Sequence, residues 1–423
     1  MLRDVNKIDI FLIITLIIMF IVPLIINVSS MAEPESKQVN IYLSSNCEEI
    51  FGRELMEELL LEFKEKYPDI RIKLAYDTAA EPHILFFNDG DYSILTANDA
   101  LLELNSFTNY DSGSRQTAIP VVSFMDMLFY NIDILTAAGF DHPPKTREEF
   151  TAYARTVSRG GTGASGAAIS LSSDDHQALS RDIFSWIWTA GGDFWVNGEK
   201  PFLNTRAIAN DIAFLGTLNR DNLLAPDIFE TTGSRRVAEF AEGKTAMMIA
   251  STQAIPFLRE QMGDGAFGIT TIPSAGTGGK YAIGISAIYI GISSSADHPD
   301  EAWNFLAFLT EKSHDLCAKL KAVPGMVSNI IPGDYVQDDI FYSKAWDIFE
   351  ASDIAETFSG RLYAQEYETV FLEELRVFFE ETRTAQATVN AIQQRWDEIG
   401  IIEEDEVDDE TVSVVTAHIQ PAS

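Results

Sequence analysis

The chain is poor in cysteine, histidine and positive charge, and each shortage removes a class of function. Two cysteines among 423 residues, Cys47 and Cys317, cannot build a disulfide framework,. Nothing in the sequence brings them together, so two separate thiols are expected. Six histidines are scattered with no H-x-x-x-H pair, so no zinc motif is present,. Asp174-Asp175-His176 is a single cluster in a polar loop and reads as a turn,. The 30 Lys and Arg stand against 64 Asp and Glu, for a net charge of -34. A nucleic-acid partner is thereby excluded, because neutralising phosphates needs a basic face. Charge says less about small ligands: a cationic one stays open, while the surplus keeps an exported chain soluble.

Phosphate-binding and dinucleotide motifs are also missing. Gly161-Thr162-Gly163-Ala164-Ser165-Gly166 spells G-x-G-x-x-G, yet it follows a helical pattern and enters a strand at Ala167 to Leu171. A dinucleotide site needs the reverse order. Gly243-Lys244-Thr245 ends like a P-loop, but Ala238 stands where the first glycine is required,. No cofactor, metal or catalytic residue is nominated.

What is present begins with an apolar run, Ile10 to Val28, broken only by Thr15, Pro23 and Asn27. It is long enough to cross a bilayer core of about 30 Å. Arg3 and Lys7 precede it and Glu33 and Glu35 follow, which exports the remainder,. Two outcomes compete for residues 1–32: a signal peptide cut after Ser30-Met31-Ala32, favoured by small residues, and an uncleaved anchor, favoured by length. Residues 401–423 form an acidic tail carrying the run Glu403 to Glu410,. Between these ends, 46% hydrophobic residues exclude wholesale disorder,. The length suits two lobes of about 150 to 200 residues each.

Periodicity then gives local structure. Val39-Asn40-Ile41-Tyr42-Leu43 alternates as a strand, and Phe51, Leu55, Leu59, Leu60 and Phe63 recur at helical spacing before Pro68,. Ile70, Ile72 and Leu74 alternate again, completing a β-α-β unit,. Leu128-Phe129-Tyr130-Asn131 suits a strand end, Ile132 to Ala138 a short helix, and Gly139 a left-handed C-terminal cap,. Pro143-Pro144 bars that helix from resuming. Thr146 and Glu149 then form a capping box for a helix with Phe150, Ala154 and Val157 on one face,.

The stretch from Leu128 to Phe150 resembles the signature of bacterial solute-binding proteins that serve ABC importers, in the sugar-binding, maltose-binding-protein-like branch. Further segments follow in that family's order across roughly residues 39 to 400. Phe240-Ala241-Glu242-Gly243-Lys244-Thr245-Ala246-Met247-Met248 is similar to its "F..GkaAM", Phe267 to Pro273 to its "fgv.plP" strand, and Ala302-Trp303-Asn304-Phe305-Leu306 to its "aA.eFl" helix. Val323-Pro324-Gly325 is similar to its "lP" turn.

The resemblance implies a two-lobed α/β periplasmic-binding-protein-like (type II) fold with a hinge and an interlobe cleft, preceded by one N-terminal hydrophobic helix. The first lobe would comprise residues 38–122 and about 253–330, and the second 123–252 and about 331–400. It implies a non-enzymatic, extracytoplasmic monomer that captures a small ligand, a sugar or oligosaccharide, and delivers it to ABC permease subunits. The chain departs from the family in two ways. No cysteine follows the apolar run to carry a lipid, and Asn105 to Ile119 is shorter than the family's counterpart, which pares down the first lobe. A membrane-tethered sensor or adaptor with this fold is therefore an alternative, and an extracytoplasmic carbohydrate-active enzyme a third.

Ligands of open α/β sheets bind beyond the carboxyl ends of strands. That rule nominates Ser44, Ser45 and Asn46 after the first strand, and Asn88, Asp89 and Asp91 after Ile84 to Phe87. Ser123 and Phe124 fall near the first interlobe crossing. The aromatic cluster Trp186, Trp188, Phe194 and Trp195 offers flat surfaces for sugar rings. One of Trp186 and Trp188 is expected in the core and another tryptophan in the cleft, with Trp195 the more exposed. Ser251, Thr252, Tyr281, Gly284 and Ser286 complete the candidate wall.

Overall fold

The computed structural model describes residues 38–75, 81–107, 116–161, 163–175, 177–195, 200–203, 205–275, 282–324, 336, 338–380 and 383–400. The apolar run Ile10 to Val28, Tyr281 and the acidic tail lie outside them. Among the described residues no helix is long and apolar enough to cross a membrane.

The first lobe starts as its alternation dictates. β1 (Val39–Leu43) and β2 (Ile70–Leu74) pair in parallel, linked by the helix Arg53–Lys66, and β3 (Ile84–Phe87) joins β1 on its other side. The helix expected from Phe51 is interrupted at Gly52, whose φ of +81° lets the short helix Cys47–Phe51 turn into Arg53–Lys66,. β3 is buried on both faces: Ile84 and Phe86 enter the core of Ile41, Phe63, Phe305 and Leu309, while Leu85 and Phe87 meet Leu95 and Leu101,.

The remaining strands are β4 (Ile119–Asn131), β5 (Met247–Ser251), β6 (Phe267–Thr270), β7 (Ala282–Ile283), β8 (Ile285–Ile292), β9 (Val323–Pro324) and β10 (Asp353–Ile354). The main sheet runs β2-β1-β3-β8-β4-β5, with β6 and β9 also paired to β4; β7 and β10 form a separate parallel pair. Around β4, β5 and β6 lie two further apolar clusters. One holds Leu128, Phe184, Trp188, Phe371 and Trp396, and the other holds Phe129, Met248, Phe267 and Trp346. Ile255, Leu258 and Ile269 pack in the latter, so the chain returns to the first core only with β8.

The family-like stretch folds as its residues require. Asn131 ends β4 and its Oδ1 accepts the Ile134 N–H at 3.0 Å, starting the helix Ile132–Ala137,. Gly139 takes a φ of +89° beyond that helix. Thr146 Oγ1 accepts the Glu149 N–H at 3.3 Å, but the Glu149 carboxylate takes the N–H of Lys145, one residue earlier than in a reciprocal box,. The strand expected at Ala167 to Leu171 is reduced to isolated bridges from Ala167 to Leu224 and from Ala168 to Met248. Both cysteines are buried, unpaired thiols, and burial pushes each up to about 12.

The helix Arg147–Arg159 is fixed to the second core through its first residue. Arg147 is buried, its Nη1 donates to Asp211 Oδ1 at 2.5 Å, and its Nη2 donates to the Trp186 carbonyl. The guanidinium also lies 4.8 Å from the centroid of the Phe214 ring,. Replacing Arg147 with leucine strands the Asp211 carboxylate in the core and is expected to cost about 3 kcal/mol or more. Urea unfolding checks it, as a lower midpoint at constant slope. An unmoved midpoint would mean that Asp211 simply takes up a proton.

Candidate functional site

β4 passes from one lobe to the other. From Ile119 to Met125 it pairs with β8, and from Asp126 to Asn131 with β5 and β6. A register slip between Pro120 and Val122 turns both Val121 and Val122 into the first core,. Beyond the slip, strict alternation sends Met125, Met127 and Phe129 to one face and leaves Phe124, Asp126 and Leu128 on the other,. Asp126 is the only charged residue of the strand and is 6% exposed. Gly284 makes room for it: a Cβ there would come within 2.9 Å of Asp126 Oδ2 and 3.0 Å of the Trp188 ring,.

Two cavities adjoin at this crossing. The larger is an open cleft of about 1030 Å³, walled by Asn46, Asp91 and Phe124 of the first lobe and by Asp175, Arg181 and Ser251 of the second. The smaller, about 50 Å³, is bounded by Asp89, Ser93, Asp126, Phe358 and Glu368. Gln177 and Ser286 line both.

The second-lobe wall depends on a local distortion. The helix that ends at Thr189 contains a π-helical turn, Ser180–Phe184, in which Arg181 and Asp182 are buried together with Phe184,. Arg181 Nη2 donates to Asp182 Oδ2 at 2.9 Å, to Asp175 Oδ2 at 3.0 Å and to Ser170 Oγ at 2.6 Å. Asp175 also accepts the Gly233 N–H, at 2.7 Å, where the helix Gly233–Ala241 begins,. Burial works against ionising Asp175, yet Arg181 and these hydrogen bonds hold its carboxyl below the ordinary range,.

The residues nominated from sequence divide by location. Asn46, Asp91, Phe124, Ser251 and Ser286 line the cleft, and Asp89 and Ser286 the smaller cavity. Ser44, Ser123 and Thr252 are buried. Ser44 Oγ donates to Asn46 Oδ1 and accepts the Phe86 N–H, while Thr252 Oγ1 accepts the Met125 N–H, so both hold backbone in place. Ser45 is half-buried and lines neither cavity. Trp186, Trp188 and Trp195 all lie in the core with Phe184 and Phe194, so the expected tryptophan surface for a sugar ring is not formed in the cleft. The reason is bulk: the π-helical turn and Gly191-Gly192 fold this segment onto Phe358 and Trp396, where the rings fill the second lobe. Tyr281 lies outside the described residues.

Sequence reading passed over Asp126, Gln177, Arg181, Phe358 and Glu368. A lone carboxylate inside the run Ile119–Asn131 was the available signal for Asp126. Glu368, one of several acids on the helix Ala364–Phe379, had none.

Burial pushes the Asp126 carboxyl up to about 7, opposed by Arg181 and reinforced by Asp182, Asp89 and Asp175,. Burial, then Asp89, pushes Glu368 up to about 8. Asp89 is raised by the same desolvation, although it accepts the Ala287 N–H at 2.9 Å and the Tyr289 hydroxyl at 3.2 Å. Near neutral pH the folded protein therefore keeps protons that the unfolded chain has released. The resulting stabilisation is complete below the unfolded carboxyl range, about pH 4, and is lost as pH rises through about 7 for Asp126 and about 8 for Glu368,. Asp126→Asn is accordingly expected to lose less stability than the parent between pH 5 and pH 8, read from urea midpoints. Identical pH dependence in the two proteins would refute the assignment.

Residues 49–314 match the family model described as bacterial extracellular solute-binding protein. A Deinococcus radiodurans protein named "Probable ABC transporter-binding protein" is 24% identical over 253 residues, covering 57% of this chain and 59% of that relative. A Brucella abortus relative is 24% identical over 202 residues, 46% of each chain. The chain thus spans about half the length of the curated relatives it matches. Among solved structures, maltose-bound MalE3 of T. maritima superposes with a TM-score of 0.66 at 17% identity, over 85% of this chain and 99% of that one. An ABC transporter solute-binding protein of Thermotoga lettingae, bound with α-D-tagatose, does so with a TM-score of 0.66 at 16% identity, over 86% and 99%. These likenesses establish the two-lobed fold. With a family model covering more than half of its length, the chain belongs to the bacterial extracellular solute-binding proteins.

Proposed function

We propose that this chain captures a small solute, a sugar or oligosaccharide, in the cleft beneath β4 and delivers it to an ABC importer. The carrying observation is that one cleft is walled by both lobes, with Asn46 and Asp91 facing Asp175, Arg181 and Ser251. Ligand contacts to both walls favour the closed form over the open one, and a permease that reads the closed form is thereby told of occupancy. The family is an extracellular one, which sets this work outside the cytoplasm.

Core membership supports lobes of residues 38–124 with 285–324, and 125–283 with 336–400. The cleft suits a polyol in its polarity. Carboxylates and amides at Asp91, Asp175 and Gln177 match hydroxyl groups, and Phe124 and the exposed Phe257 supply apolar surface where tryptophan does not,. The maltose and tagatose of the two structural relatives are the same class of molecule.

A thermal-shift screen of the full chain against mono- and oligosaccharides tests the reading. A solute at a hundred times its Kd stabilises by about 2.7 kcal/mol, a shift of a few degrees. Gln177→Ala, at the junction of both cavities, is expected to weaken the best sugar by about tenfold, a loss of one polar contact, and to leave the unliganded melting point in place. A well-folded sample that answers to no sugar rules the proposal out.

A further inference from the structure

We propose that the solute carries a cationic nitrogen, a protonated amine such as that of an amino sugar, and that this group enters the smaller cavity between Asp89, Asp126 and Glu368. The inference builds on the cleft being the solute site and names the class of solute.

Size comes first. A cavity of about 50 Å³ takes an ammonium group, or a few waters, but not a pyranose ring, which the adjoining cleft of about 1030 Å³ accommodates,. The two meet at Gln177 and Ser286, so one molecule reaches both.

The lining asks for a donor with positive charge. Asp126 is buried, yet its carboxylate takes no hydrogen bond from a described residue. Ser286 Oγ is shut off from solvent and has no partner either. A polar atom left so costs free energy unless something supplies its bond. Among the described residues no Lys or Arg pairs with Asp89, Asp126 or Glu368, and Arg181, which opposes the raised Asp126 carboxyl through space, makes its ion pairs with Asp175 and Asp182. The three acids thus exceed the protein's own cations at this point.

A metal ion is the poorer occupant. No group of three His, Cys, Asp or Glu among the described residues stands close enough to hold one. An ammonium reaches its acceptors through three divergent N–H bonds. Ile94, Ile285 and Phe358 complete the walls with apolar surface.

The raised carboxyls supply a signature. A cation favours their ionised forms, so its binding at pH 7 displaces protons from Asp126 and Glu368 into the buffer,. The groups that set this balance are Arg181, Asp182, Asp89 and Asp175 around Asp126, and Asp89 beside Glu368.

Isothermal titration of the full chain with D-glucosamine, N-acetyl-D-glucosamine, D-glucose and spermidine, repeated in buffers of different ionisation enthalpy, is the test. The expected result is glucosamine or spermidine bound at least about tenfold tighter than the uncharged sugars, with proton release. Asp126→Asn and Glu368→Gln should each abolish that preference; Glu368→Gln, on a half-buried helix face, guards against loss of folding. Equal binding of glucose and glucosamine without proton release overturns the proposal and leaves the sugar reading standing. Spermidine binding with silence from every sugar supports the cation site and removes the sugar. No heat from any of the four removes both.

Discussion

Backbone hydrogen bonding along β4 joins the two lobes through a single continuous strand. Its first half is held by β8 and its second by β5 and β6, so neither lobe is complete without it. Whatever stands at the changeover is held by both ladders at once, and the residue there is Asp126. A position gripped from two sides has little room to relax, and Asp126 stands there beside the Trp188 ring with the Gly284 backbone against it. The register slip beside Pro120 adds local twist ahead of the crossing,.

The second constraint is electrostatic. One buried guanidinium, Arg181, holds Asp175 and Asp182, and through Asp175 it fixes the start of the helix Gly233–Ala241. Desolvating these charges is costly without matched partners, and here the Ser170 hydroxyl and backbone N–H both donate to Asp182. The wall of the cleft is therefore stiff in the second lobe. On the first-lobe side Asn46 is held by Ser44 and by the Phe86 carbonyl, so that wall too is preset.

Much of this architecture was legible because its signals are local. Alternation at Val39–Leu43 and Ile70–Leu74, the Thr146 half of the capping box and the glycine after Ala138 act within a few residues and formed as read, while Glu149 turned to the Lys145 N–H instead. The loops beyond β1 and β3 do supply Asn46, Asp89 and Asp91 to the cavities, since that follows from parallel strand direction. The tryptophans were misplaced because their spacing fits a buried helix face as well as a cleft rim; Phe358 and Trp396, more than 150 residues away, decided between them,. Glu368 was invisible for a similar reason: only long-range packing distinguishes it from the other acids of its helix. Arg147 follows the Thr146 cap, and nothing nearby announced that Asp211 would draw it into the core.

The segment around Phe358, part of the second lobe, also touches the helix Asp89–Ala97 of the first. Ser93 Oγ donates to the Phe358 carbonyl at 3.5 Å and accepts the Gly360 N–H at 3.1 Å, and the Ser359 hydroxyl reaches Tyr289 at 3.5 Å. The two at 3.5 Å are weak,. A latch of one ordinary bond and two weak ones stores little energy of its own, so under the proposed capture the contrast between an empty and a loaded molecule has to come from the solute. In the proposed delivery to a permease, fidelity rests on what fills the cleft, and a solute that touches one wall alone conveys nothing.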